Sequence, residues 1–220
     1  MTNTPTPSHT PTSTSTFTPS PTPTPILTTL EIRVSQSSDD AEESINGNVN
    51  LTSSDLNLVE ANSGPQTVGI RFQNVTIPAG ADITTAYIQF QVDEATSGNI
   101  NLTIKGQAAD NAPSFSKNSN NISSRPTTSA LVSWSPPDWP TIGEAGPDQR
   151  TSNIARVIQE IVDRPGWSNG NSLAMIITGT GLRTAEAYDG DVSGAAMLHI
   201  EFRDSVPLPT FTPTPTATNT

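Results

Sequence analysis

The chain has 220 residues, 32% of them hydrophobic and 14% charged, with a net charge of −11 and no cysteine. The acidic balance argues against nucleic acid and anionic lipid as partners. The missing cysteine removes disulfides, thiolate catalysis and zinc–thiolate sites together.

Residues 1–25 form a first segment, with 21 Thr, Pro or Ser and no Asp, Glu, Lys or Arg. Such a tract cannot bury enough apolar surface to offset chain entropy. Its alternating prolines favour extended polyproline II. Residues 206–220 repeat the composition, with 10 Thr or Pro among 15. The two tails share a motif: Thr16-Phe17-Thr18-Pro19 recurs as Thr210-Phe211-Thr212-Pro213. Between them, residues 26–205 have ordinary globular composition and suffice for one domain. No apolar run approaches the roughly 18 residues of a transmembrane helix. Met1 leads directly into polar sequence, so an exported form is expected to be a mature chain, a fragment or one repeat of an array.

Within the domain, period-two alternation predicts strands. Ile32 and Val34 alternate with charged residues, as do Val68, Ile70 and Phe72 with Gly69 and Arg71. The same pattern places Ala86, Ile88, Phe90 and Val92 on one face, then Ile100, Leu102 and Ile104, and finally Leu198, Ile200 and Phe202. Leu173 to Thr178 is continuously apolar, as for a central strand. Turn formers separate these runs at Asn46-Gly47, Asn62-Ser63-Gly64-Pro65, Pro78-Ala79-Gly80, Ser97-Gly98-Asn99 and Asp189-Gly190. Ala108 to Pro147 reads as a long excursion pinned by Trp134 and Trp139. One helix is predicted near 153–163. Ile154, Val157, Ile158, Ile161 and Val162 form a single stripe, Ser152 or Asn153 can cap it, and Arg164-Pro165-Gly166 stops it. The expected fold is mostly β: a two-sheet antiparallel, jelly-roll-like β-sandwich with one amphipathic helix and polyproline-II tails.

The stretch Gly69 to Phe90, with Ile77-Pro78-Ala79-Gly80-Ala81-Asp82-Ile83 at its centre, resembles the core of DNRLRE-type jelly-roll modules of secreted bacterial proteins. Further segments look like related modules on large exported proteins. They are Ser38 to Glu43, Ser133 to Pro137, Ile158 to Trp167 and Glu186 to Gly190. The resemblance covers most of residues 31–203 and implies a β-sandwich in an exported setting.

No catalytic set stands out. Nucleophilic catalysis needs a base beside Ser or Thr, yet His9 lies in a tail, His199 lies on the polar register of the last strand, and there is no Gly-x-Ser-x-Gly elbow. The carboxylate pairs Asp39-Asp40 and Asp93-Glu94 are merely adjacent in sequence. Two oxygen-rich clusters suit structural calcium: Asp39, Asp40 and Glu42 early, and Asp189 and Asp191 late. First and last strands of sandwiches are often neighbours, so the clusters are expected to approach each other. Trp134, Trp139, Trp167, Tyr87 and Tyr188 are candidate sugar-stacking residues, with core closure as the alternative. The sequons at Asn50, Asn74, Asn101 and Asn121 are formal matches. The tails carry the stronger glycan signal, at Thr16, Thr18, Thr22, Thr210, Thr212 and Thr214, because extended segments expose every hydroxyl. Phe17 and Phe211, the only aromatics of their tails, are the expected assembly anchors. The sequence therefore predicts a non-enzymatic extracellular or cell-surface structural module. It would be a link of a stalk or filament whose partners are copies of itself and covalent glycans. The alternative is a polysaccharide-binding module on flexible linkers.

Overall fold

The computed structural model describes residues 1–2, 25–61 and 64–204. The predicted tail residues, from Thr16, Phe17, Thr18 and Thr22 to Thr210, Phe211, Thr212 and Thr214, lie outside the described residues, as does the polyproline-II expectation for them. The domain, Ile26–Ser205, is a compact unit by itself. It is a sandwich of antiparallel sheets carrying a single α-helix.

The first sheet has three strands in the order β1 (Leu27–Arg33), β13 (Met197–Arg203), β7 (Asp82–Gln89). The facing sheet has seven. Its path runs β10 (Thr127–Trp134), β9 (Asn101–Gln107), β11 (Leu173–Thr180), β6 (Gly64–Phe72), β2 (Asp40–Ser44), β3 (Val49–Asn50), with β5 (Glu60–Ala61) also paired to β6. A small third sheet joins β4 (Asp55–Asn57), β12 (Thr184–Glu186) and β8 (Val92–Glu94). The alternating residues fill the space between the large sheets: Ile70, Phe72, Ile88, Ile104, Leu198 and Ile200 are fully buried. That burial is the dominant favourable term in the fold.

β11 is buried on both faces because the seven-stranded sheet has a second, smaller cluster behind it. There Phe115 and Ile122, from the loop before β10, pack on Ala41, Ala174 and Ile176. This explains the continuous apolar run of β11. β10 is a departure from the expected excursion over 108–147. Its inward positions are Thr128, Ala130, Val132 and Trp134, and a Thr and an Ala in that row dilute the alternation.

The helix α1 (Ala155–Val162) seals one flank of the sandwich, packing on β7, β9 and β10. Its whole stripe, Ile154 to Val162, is at most 1% exposed. Gly106 permits the approach, since a Cβ there would stand 2.6 Å from Ile161 Cδ1. Polar groups of the same segment close two sheet edges. Gln159, Asn153 and Thr151 side chains accept the N–H groups of Ile83, Ala86 and Ile88 along β7. Glu160 accepts those of Ser129 and Ala130 on β10, which holds its carboxyl below the ordinary range. The helix N-cap is Ile154, with no side-chain cap, rather than the expected Ser152 or Asn153; Asn153, one residue earlier, accepts from Ala155 N–H. Ile158→Asp is expected to cost about 3–5 kcal/mol by burying an unpaired charge in the flank. Thermal melts of the two proteins measure it, and a Tm within error of wild type would contradict this packing.

Candidate functional site

The five acids predicted to hold calcium each accept at least one hydrogen bond from the protein. β2 is an unusual strand in that Asp40, Glu42 and Glu43 are all buried. Each pins a different loop by accepting backbone N–H groups. Asp40 accepts from Tyr188 at 2.7 Å, Glu42 from Asn57 at 2.6 Å, and Glu43 from Ile122 and Ser123. Glu42 also accepts from the Gln66 amide. Asp39, fully buried, forms an ion pair with Arg71 at 2.7 Å and accepts from Gln73 at 2.6 Å. Arg71 completes its fork by donating to the Ala112 carbonyl and the Ser172 hydroxyl.

The late cluster meets the early one, as the neighbouring end strands require. Asp189 accepts from the Ser37 hydroxyl at 2.8 Å, beside the Asp40–Tyr188 bond. Asp191 accepts from Ser193 N–H and Oγ, and these bonds lower its pKa. Gly190 is needed in this turn because a Cβ would collide with the Ser54 carbonyl and Glu186. Among the described residues, no three of Asp39, Asp40, Glu42, Asp189 and Asp191 bring carboxylate oxygens within 4.8 Å of one another.

The acids that do converge lie on the small third sheet. Asp55, Asp93 and Glu94 come within 4.8 Å of each other. Oxygen-only sets of this kind are the ones a hard cation takes. Glu186, on β12, lies close enough to Asp93 for the two carboxyls to interact. Burial first, then the Asp93 charge, pushes Glu186 up to about 7. Burial and Asp55 likewise raise Asp93. Asp93-Glu94 is visible in the sequence as a pair. Asp55 and Glu186 are not, because only the pairing of β12 with both β4 and β8 brings them there.

The three tryptophans are core, Tyr188 packs against it half-buried, and Tyr87 is half-buried outside it. Trp134, Trp139 and Trp167 are 6%, 0% and 3% exposed, so they offer no face to a sugar ring. Phe90 stacks with Trp134 at 5.6 Å, and the Trp139 and Trp167 indoles donate to the Asp148 and Ile77 carbonyls. Tyr87 is covered by His199, stacked at 4.6 Å, and by the Arg150 guanidinium at 4.9 Å. Tyr188 packs against the main core. His199 bonds Glu31 at 3.1 Å, so Glu31, His199 and Tyr87 form one cross-strand rung. A polar cleft of about 520 Å³ opens beside β3, lined by Asn46, Asn48, Asn50, Gln66 and Lys117 among others. No family model and no curated protein matches the chain.

Two tests follow from the acids. Asp40 is pushed from an ordinary 3.8 up to about 7, chiefly by burial. A carboxyl raised on folding contributes stability below its unfolded pKa, and that contribution is lost as pH rises through the folded pKa. Tm should therefore fall between pH 4 and pH 8, and Asp40→Asn, which keeps an acceptor for Tyr188 N–H, should flatten the fall. A wild-type Tm that rises across this window would reject the assignment. Asp39→Ala strands the Arg71 charge and is expected to cost about 3–5 kcal/mol, measured by denaturant unfolding.

Proposed function

We propose that the chain is a non-enzymatic structural module of an extracellular stalk or filament, with glycosylated Thr/Pro tails that connect it to further copies. The repeated Thr-Phe-Thr-Pro motif on both sides of a single domain carries this reading. Uncharged, Thr-dense tracts suit O-linked sugars on Thr16, Thr18, Thr22, Thr210, Thr212 and Thr214. Polyproline II has little conformational freedom left to lose, so docking it on a neighbour costs less than docking a Gly/Ser linker. Phe17 and Phe211 are the apolar anchors for such docking. The resemblance to exported jelly-roll modules agrees with this setting.

The ends of the domain support the reading in a specific form. Leu27, the first residue of β1, is the register partner of Arg203, the last of β13. The two ends of the domain therefore lie side by side at one end of the first sheet. The burial of all three tryptophans weighs against the polysaccharide-binding alternative, which would draw on exposed aromatic faces.

The test is electron microscopy of the native material and of a variant lacking residues 1–25 and carrying Phe211→Ser. Regular polymer from the native chain, lost in the variant, is the expected outcome. A variant polymer with unchanged subunit spacing would reduce the tails to passive spacers and defeat the proposal.

A further inference from the structure

The two edges of the three-stranded sheet are treated differently. β7 is closed along its length by Thr151, Asn153 and Gln159, together with backbone bonds to Gln149, Thr151 and Ile154. Among the described residues, β1 has a partner on one side only, β13. Val34 N–H bonds the Ala196 carbonyl, which sets the phase of the ladder. Even-numbered residues of β1 point their backbone groups at β13. Leu27, Thr29, Glu31 and Arg33 therefore point theirs outward. Those groups have no bonding partner among the described residues. On the inner face, Leu30 and Ile32 continue the core but are only partly buried. The strand contains no proline and no lysine, and its two charges, Glu31 and Arg33, are of opposite sign and so leave the edge without net charge.

We propose that β1 pairs antiparallel with β1 of a second copy, about a two-fold axis at Leu30, and so merges two three-stranded sheets into one. The strand is self-complementary in this register. Leu27 faces Arg33 of the second copy, Thr29 faces its Glu31, and every outward backbone group finds a partner. Thr28 meets Ile32 and Leu30 meets Leu30 on the inner face, covering the apolar surface left open there. Displacing the axis to Glu31 sets like charges opposite each other, which is unfavourable. Displacing it to Ile32 gains two exposed Glu31–Arg33 pairs. It gives up half of the backbone bonds within the strand, and exposed ion pairs are the weaker contribution.

The occupant is a second copy because of what the pairing does to the chain ends. Each domain carries both tail attachments at its Leu27–Arg203 end. Antiparallel pairing puts the two sets of attachments at opposite ends of the joined ladder, roughly 20 Å apart for a seven-residue strand. The pair thereby becomes a two-ended connector. The choice of a second copy as occupant rests on the assembly reading, while the pairing itself is tested separately, since a dimer can form whether or not the tails polymerise.

The experiment uses the full chain. Sedimentation from about 1 to 300 µM should show a reversible dimer. Thr29→Pro removes one outward N–H without touching the β13 ladder. It should weaken the dimer at least tenfold while leaving the Tm close to wild type. The chain has no cysteine, so a single introduced thiol reports position directly. Leu30→Cys sits at a non-hydrogen-bonded pair with Cα atoms about 4.5 Å apart, within disulfide range, and should cross-link on mild oxidation, whereas Ile32→Cys should not. A chain that stays monomeric to 300 µM, a Thr29→Pro protein that dimerises as well as wild type, or cross-linking at Ile32 in place of Leu30 each overturns the proposal. If Thr29→Pro lowers the Tm markedly, the pair of cysteine variants decides the matter alone.

Discussion

The fold depends on one ladder between its two ends. β1 and β13 pair over seven positions, from Leu27 with Arg203 to Arg33 with Met197. Closing a loop of that length costs entropy, although the cost grows only logarithmically with length. It is offset by burying Leu198, Ile200 and Phe202 against the facing sheet. The other features nest inside this closure. Ser37 reaches Asp189 and Asp40 reaches Tyr188 because those residues lie just inward of the two paired strands. A native state that rests on such distant pairings is expected to fold slowly compared with a helical bundle of its size.

Buried carboxylates do the work of loop staples. A free carboxylate in the interior is costly unless its lone pairs are satisfied. Here most are satisfied by backbone N–H groups of other loops, and Asp39 by Arg71. The acids of β2 thereby fix the 186–190 turn, the start of the third sheet and the loop that covers Ile176. The buried acids among the predicted cation ligands, Asp39, Asp40 and Glu42, thus also have a structural role. The raised pKa of Asp40 is the residual cost of that arrangement.

The parts of the molecule that were legible in sequence are those with local periodicity. β6, β7, β9 and β13 carry clean alternation, and α1 carries an unbroken stripe, because each packs one face on the same core. β10 escaped because Thr128 and Ala130 stand on its inward face. β8 and β12 were too short to show a period. The acid seam was half legible. Adjacent acids such as Asp93-Glu94 are visible, but which acids meet is decided by strand pairing. Asp39 meets Arg71 because β2 lies against β6, a relation with no local signature. The tryptophans were ambiguous for a related reason: the residue type signals a large apolar surface, and only the packing says whether the core or a ligand covers it.

The direction of load distinguishes the single domain from the pair. With both attachments at the Leu27–Arg203 end, tension applied through the two tails separates β1 from β13 one rung at a time, so the bonds act in series and each fails alone. In the edge-paired dimer, tension between opposite ends runs along β1 of both copies, so the bonds across the new ladder are sheared together. In the proposed assembly the isolated domain would be the weaker link in line and the pair the stronger one. An edge left open among the described residues is a liability in a monomer, and the proposed pairing of β1 with its own copy removes it.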